Sequence, residues 1–138
     1  MRPSFETIYI NLAIRLSARS TCRRLQCGVV ITSADYRQVF AVGYNGNAAG
    51  LPNRCDSEEP GSCGCLHAED NAVINCSAPR YVSKVVFISH VPCVICAKRL
   101  INLGGVTTVY WSEVYRDLSS IPLLRSAGVV CESLEVKY

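Results

Sequence analysis

Two short segments hold most of the residues in this chain that could bind a metal and move a proton: "CGCLHAEDNA", from Cys63 to Ala72, and "PCVIC", from Pro92 to Cys96. Cys and His are the usual soft and borderline metal ligands, and a buried glutamate is costly unless it has a task. With Pro92 opening a helix, Cys93 and Cys96 lie one turn apart and share a face with Ala97 and Leu100. Both thiols are expected to point inward at the helix N-terminus, where the dipole favours thiolate. His67 and Glu69 are two positions apart, which on a helix turns their side chains roughly 160° from each other. They converge only on a site that caps the helix end. Two helix N-termini would then meet over one ion held by His67, Cys93 and Cys96, with Glu69 close but unligated. Three protein ligands leave a fourth position for water, as in catalytic zinc, and a nearby carboxylate can take that water's proton and hand it on.

The rest of the chain must position these groups. Phe5, Ile8, Tyr9, Leu12, Ala13 and Leu16 recur at helical spacing, which predicts an amphipathic helix over about 4–19. "CGVVIT" and "RQVFAVGY" read as two strands of an antiparallel hairpin, followed by a long Gly/Pro/Asn loop over 45–64. Then come helix "HAEDNAVINC", strand "KVVFIS", helix "PCVICAKRLINLG", strand "VTTVYW", helix "SSIPLLRSAG" and a last strand around "VVCESLEV". That alternation predicts an α/β layered fold with parallel pairing in its second half, hence a mixed sheet of five strands. No repeat, low-complexity tract or linker interrupts it, so residues 1–138 read as a single domain.

Composition narrows the classes. Hydrophobic residues make up 49% of the 138 positions and charged ones 18%, as in a folded globular domain. No apolar run approaches the ~20 residues of a membrane span, and "MRPSFETIYI" lacks a signal peptide's layout. A soluble, cytoplasmic protein that binds no membrane is expected. Nine cysteines, an odd number, in a reducing compartment then point to metal rather than to disulfides. The net charge of +3 is too mild and too scattered for a polymeric nucleic acid partner.

An isolated C-x-x-C could be a redox pair or half of a structural zinc site. With His67-Ala68-Glu69 upstream, the chain carries H-x-E…P-C-x-x-C, the signature of zinc nucleoside and nucleobase deaminases. Within them it resembles the deoxycytidylate deaminases over most of its length. "RSTC" and the arginines to Arg24, "GVVI" at Gly28, "GYNG" at Gly43, "CD" at Cys55, "HAEDNA", "PCVICAK" and "LLRSAGV" stand in that family's order.

The resemblance implies a three-layer α/β/α cytidine-deaminase-like fold, a catalytic zinc, and hydrolytic deamination of dCMP to dUMP and ammonia. Glu69 would protonate N3 and pass a proton to the leaving amine, and Ala68 would offer its backbone N–H to the base carbonyl. Asn45 would bond the sugar, against a plain reading as a turn residue of positive φ beside Gly46. Tyr115 matches an aromatic placed over the substrate, where a half-buried core tyrosine is the alternative. Arg24 and Arg116 are candidates for the phosphate, since guanidinium forks suit its oxygens, although either could be a solvated surface arginine.

A second, structural zinc is implied on Cys22, Cys55, Cys63 and Cys65, clamping the long loop onto the first helix. The Cys63-x-Cys65 spacing is tighter than C-x-x-C, which leaves one of its ligands open. Cys27, Cys76 and Cys131 read as buried small hydrophobes, and His90 as a neighbour of the site rather than a ligand. Relatives are often hexamers, so a homo-oligomer is implied. The rival readings are a deaminase of cytidine, cytosine, guanine or tRNA adenosine, or a non-catalytic zinc or nucleotide-binding module. A purely structural site would have no use for unligated Glu69.

Overall fold

A computed structural model describes residues 2–22, 25–57, 59, 63–113 and 117–135. Helix α1, Phe5–Ser17, starts where Ser4 Oγ accepts the Thr7 N–H at 3.1 Å, and buries Ile10 and Ala13. Strands β1 (Gly28–Ser33) and β2 (Val39–Tyr44) form the expected antiparallel hairpin. After the long loop follow α2 (Ala68–Asn75), β3 (Lys84–His90), α3 (Val94–Leu103), β4 (Val106–Glu113), α4 (Ser120–Ser126) and β5 (Val130–Ser133).

The sheet order is β2-β1-β3-β4-β5; β1 runs antiparallel to both neighbours, and β3, β4 and β5 are parallel. Alternation along the central strands makes the layers. Val30, Val85 and Phe87 face α1, while Val29, Ile31, Val86, Ile88 and Val109 face the side covered by α2, α3 and α4. The fold is therefore a three-layer α/β/α sandwich, as the resemblance implies, around the five-stranded mixed sheet that the sequence pattern predicts.

Two glycines let helices come close to β1 and β2. A Cβ on Gly28 would collide with the Ala13 carbonyl of α1. One on Gly43 would stand 2.5 Å from Ala68 O and 2.7 Å from Ala72 N, so the start of α2 rests on a bare backbone there. The "GYNG" motif thus opens with a residue that sets how near His67 and Glu69 lie to the sheet.

Lys84 is fully buried at the start of β3, its ammonium donating to Pro79 O (2.8 Å), Val82 O (2.7 Å) and Gly104 O (2.8 Å). Those bonds satisfy its three donors and tie two loops at the end of the sheet opposite His90. Among the described residues no helix is long and apolar enough to cross a membrane.

Candidate active site

The end of the sheet opposite Lys84 gathers the start of β1, the end of β2, the ends of parallel β3 and β4, and the N-termini of α2 and α3. A cavity of about 320 Å³ opens there, lined by Asn45, His67, Ala68, Glu69, His90 and Cys93 among others. His67 is the N-cap of α2 and Cys93 the N-cap of α3. Helix α3 therefore begins two residues later than Pro92, and the Cys93 sulfur accepts the Cys96 N–H at 3.4 Å. The expectation that Cys93 lies on the buried face is corrected. Cys96, Ala97 and Leu100 are buried, but Cys93, capping the end rather than sitting on the face, is exposed to the cavity.

His67, Cys93 and Cys96 offer ligand atoms that all lie within 4.8 Å of one another. His67 Nδ1 stands 3.1 Å from Cys96 Sγ and 3.8 Å from Cys93 Sγ. A tetrahedral zinc with ordinary Zn–N and Zn–S bonds sets such atoms about 3.5 Å apart. The observed separations bracket that value, and the donor set of one imidazole and two thiols suits zinc. An ion pair fixes the two helices against each other: Asp70 of α2 accepts the His67 N–H at 3.3 Å and meets Arg99 Nε of α3 at 3.0 Å.

The electrostatics favour a cation. Hydrogen bonds from Cys96 and His67 pull the Cys93 thiol down to about 3. Cys96 is pushed up, first by that same thiolate and then by burial, and His67 is raised by its bond to Cys93. A thiolate at Cys93 suits a cation, and binding of an ion would release the protons of the other ligands. Glu69 is only 4% exposed, and burial raises its carboxyl above the usual range. It lies at the cavity wall beside these groups, where burial favours its protonated form.

Ala68 is the first residue of α2, so its N–H is among the first-turn amides that lack a partner within the helix. Asn45 is buried, with Oδ1 accepting the Cys27 N–H at 2.8 Å and Nδ2 donating to Leu25 O at 2.5 Å. It does not have positive φ; among the described non-glycine residues only Tyr36 does. The turn reading of Asn45 is replaced by that of a clamp on the segment that leads into β1. Arg24, Tyr115 and Arg116 lie outside the described residues.

The sulfurs of Cys22, Cys55, Cys63 and Cys65 also lie within 4.8 Å of one another, with Cys22–Cys55 at 3.9 Å and Cys55–Cys65 at 3.8 Å. Four sulfurs on one tetrahedral zinc stand about 3.8 Å apart. The tight Cys63-x-Cys65 spacing works because Gly64 adopts φ +74°, turning both thiols toward one point. Cys22, Cys63 and Cys65 border the same cavity as Glu69, so this cluster forms part of its wall. Cys27 and Cys131 are buried as expected, and Cys76 partly so.

Sequence reasoning did not find the pairing of His90 with Glu113, 3.4 Å apart, nor Asp117 at the cavity wall. The first depends on the parallel register of β3 and β4, which brings residues 23 positions apart together. The Asp70 bond to the His67 N–H had a signal, an acid three residues after a helix cap, whereas its pairing with Arg99 had none.

A profile described as the cytidine and deoxycytidylate deaminase zinc-binding region matches residues 4–113. Deoxycytidylate deaminase of Saccharomyces cerevisiae is 33% identical over 94% of this chain, and 44% of the yeast protein is covered. ComE operon protein 2 of Bacillus subtilis is 32% identical over 98% of this chain and 74% of its own length. The crystal structure of dCMP deaminase from cyanophage S-TIM5, in complex with dCMP and dUMP, superposes with a TM-score of 0.84 at 30% identity, covering 97% of this chain and 99% of that one. The chain spans less than half the length of its yeast relative and nearly all of the phage enzyme. A fold shared almost end to end with that enzyme, and a profile match over the elements that build the cavity, mean that the chain belongs to the cytidine and deoxycytidylate deaminase family.

Proposed function

We propose that this chain is a zinc-dependent deaminase that converts dCMP and water to dUMP and ammonia. The observation that carries the proposal is the placing of buried Glu69 beside the convergent His67, Cys93 and Cys96 at one cavity. The substrate follows from the likeness to the phage enzyme, whose structure holds dCMP and dUMP. We read residues 1–138 as one domain of a cytoplasmic homo-oligomer, a reducing compartment suiting nine free thiols.

His67 Nδ1 and the thiolates of Cys93 and Cys96 would hold the catalytic zinc. Bound there, zinc supplies a Lewis acid that brings a water's pKa toward neutrality. Glu69 would accept a proton from the attacking water and deliver it to N3 of the base. The water oxygen bonds to C4. Glu69 then passes the second proton to the amino group, the C4–N bond breaks, ammonia leaves, and the oxygen stays as the carbonyl of dUMP. A carboxyl whose pKa burial has raised is suited to both halves of this exchange. The Ala68 N–H would hold the base carbonyl, and Asn45 keeps a second Nδ2 hydrogen for the sugar. Tyr115 over the base, and Arg24 and Arg116 on the phosphate, complete the assignment. Cys22, Cys55, Cys63 and Cys65 would hold a second, structural zinc, supported by sulfur spacings close to a tetrahedral edge.

A panel of dCMP, deoxycytidine, cytidine and cytosine, read by ammonia release, tests the substrate. A charge-assisted phosphate contact contributes roughly 1.5–3 kcal/mol, so kcat/KM for dCMP should exceed that for deoxycytidine by at least about tenfold. Equal turnover of the two would overturn the nucleotide assignment in favour of a nucleoside deaminase.

A further inference from the structure

The cavity wall carries a titratable group that the chemistry above leaves idle. His90 ends β3 in ladder register with Glu113 at the end of β4. Its Nε2 lies 3.4 Å from Glu113 Oε2, and the two side chains are 16% and 73% exposed. Its Nδ1 lies 2.9 Å from Ser89 Oγ, which also accepts the Gly28 N–H at 3.0 Å and stands 3.5 Å from Cys27 Sγ.

A hydroxyl has one proton to give and two lone pairs to fill. Beside neutral His90, Ser89 donates to Nδ1. Beside protonated His90, it accepts from Nδ1–H and turns its own proton toward Cys27. Both states of the imidazole are therefore hydrogen-bonded without any movement of the backbone. Burial pulls the His90 pKa down while the Glu113 carboxylate opposes it, and the net shift favours the neutral ring.

Among the described residues that line the cavity there is no Lys or Arg. The charged or titratable groups around His90 are Glu113 on β4, which it meets directly, and, lining the same cavity, Asp117, Cys27, Glu69, His67, Cys93 and the cysteines of the second cluster. A phosphomonoester entering this space adds a further negative charge of nearly two at neutral pH. Such a charge favours the protonated imidazole.

We infer that His90 is a substrate-binding residue that takes up a proton as the nucleotide's phosphate arrives, with Nε2–H passing from Glu113 to a phosphate oxygen. The inference rests on the nucleotide reading of the site. It gives Glu113 a role as the partner that holds the ring in place until substrate comes.

Titration calorimetry of the zinc-loaded protein with dUMP, in buffers of different ionisation heat near pH 7.5, measures proton uptake directly. Wild type should take up close to one proton more than His90→Gln. The variant should bind dUMP roughly tenfold or more weakly at pH 6.5, with an affinity that changes little with pH beyond the ligand's own ionisation. Deoxyuridine should show no uptake with either protein. Glu113→Gln, an exposed change, removes the group that raises the His90 pKa and should move the uptake midpoint to lower pH; if His90→Gln does not fold, an unmoved midpoint in Glu113→Gln overturns the inference. Equal binding of deoxyuridine and dUMP by wild type would overturn the nucleotide reading and this inference with it. Preferred binding of dUMP with identical uptake in His90→Gln would overturn this inference alone.

Discussion

Glu69→Gln is expected to lower kcat for dCMP by more than ~10²–10⁴-fold, the range typical of a single positioned acid–base group, because the proposed mechanism uses this carboxyl in several steps. An amide keeps the shape and can still hydrogen-bond, but it can neither accept the water's proton nor give one to N3 or to the leaving amine. The zinc content should not change, since Glu69 is not among the converging ligand atoms. Nor should stability fall. Burial raises the Glu69 pKa above its unfolded value, so the carboxylate's cost to the fold is absent below the unfolded pKa and complete above the folded one. Glutamine lacks that cost, so the thermal midpoint at neutral pH should hold or rise. Steady-state kinetics, metal analysis and thermal melts on one preparation check all three outcomes; near-normal turnover would remove Glu69 from the chemistry.

The second large effect concerns the four-cysteine cluster. Wild-type protein should contain two zinc ions per chain, and Cys55→Ser or Cys22→Ser should lose one of them while keeping the ion on His67, Cys93 and Cys96. Cys55 is 3.9 Å from Cys22 and 3.8 Å from Cys65, so no other donor of the set replaces it. A structural zinc contributes folding free energy directly, so its loss should lower Tm by on the order of 10 °C or more. Cys22, Cys63 and Cys65 border the cavity, so KM for dCMP should rise as well. Cys93→Ser makes the contrast: it should lose the other ion and the activity with a smaller change in Tm. Finding one zinc per chain in wild type, or a Tm unmoved by Cys55→Ser, would remove the second metal.

Much of this arrangement is legible in the residues because local patterns carry it. Continuous apolar runs in "GVVIT" and "KVVFIS" answer to helices on both faces of the sheet and helical spacing in Phe5 to Leu16 answers to one, and the strands and helices form where those patterns place them. The convergence of His67 with Cys93 and Cys96 is legible as well, since both segments open helices that follow strands or a tied loop. What escapes depends on register or on single dihedral angles. The start of α3 shifts because Cys93 caps the helix with its sulfur, a role that a proline-first reading assigns elsewhere. The fit of both Cys63 and Cys65 depends on the positive φ of Gly64, and the partners of Asn45 lie 18 and 20 residues away in sequence. The Lys84 ammonium finds three carbonyls that only the folded loops bring together. His90 and Glu113 meet through the parallel ladder and through nothing local.

The most direct measure of the central claim is the fate of the water oxygen. Zinc-loaded protein incubated with dCMP in water enriched in heavy oxygen should yield dUMP carrying one heavy atom at O4, with one ammonia released per dUMP and no reaction after the metal is removed. Recovery of unchanged dCMP, or formation of dUMP without the label, would contradict hydrolytic deamination at this site.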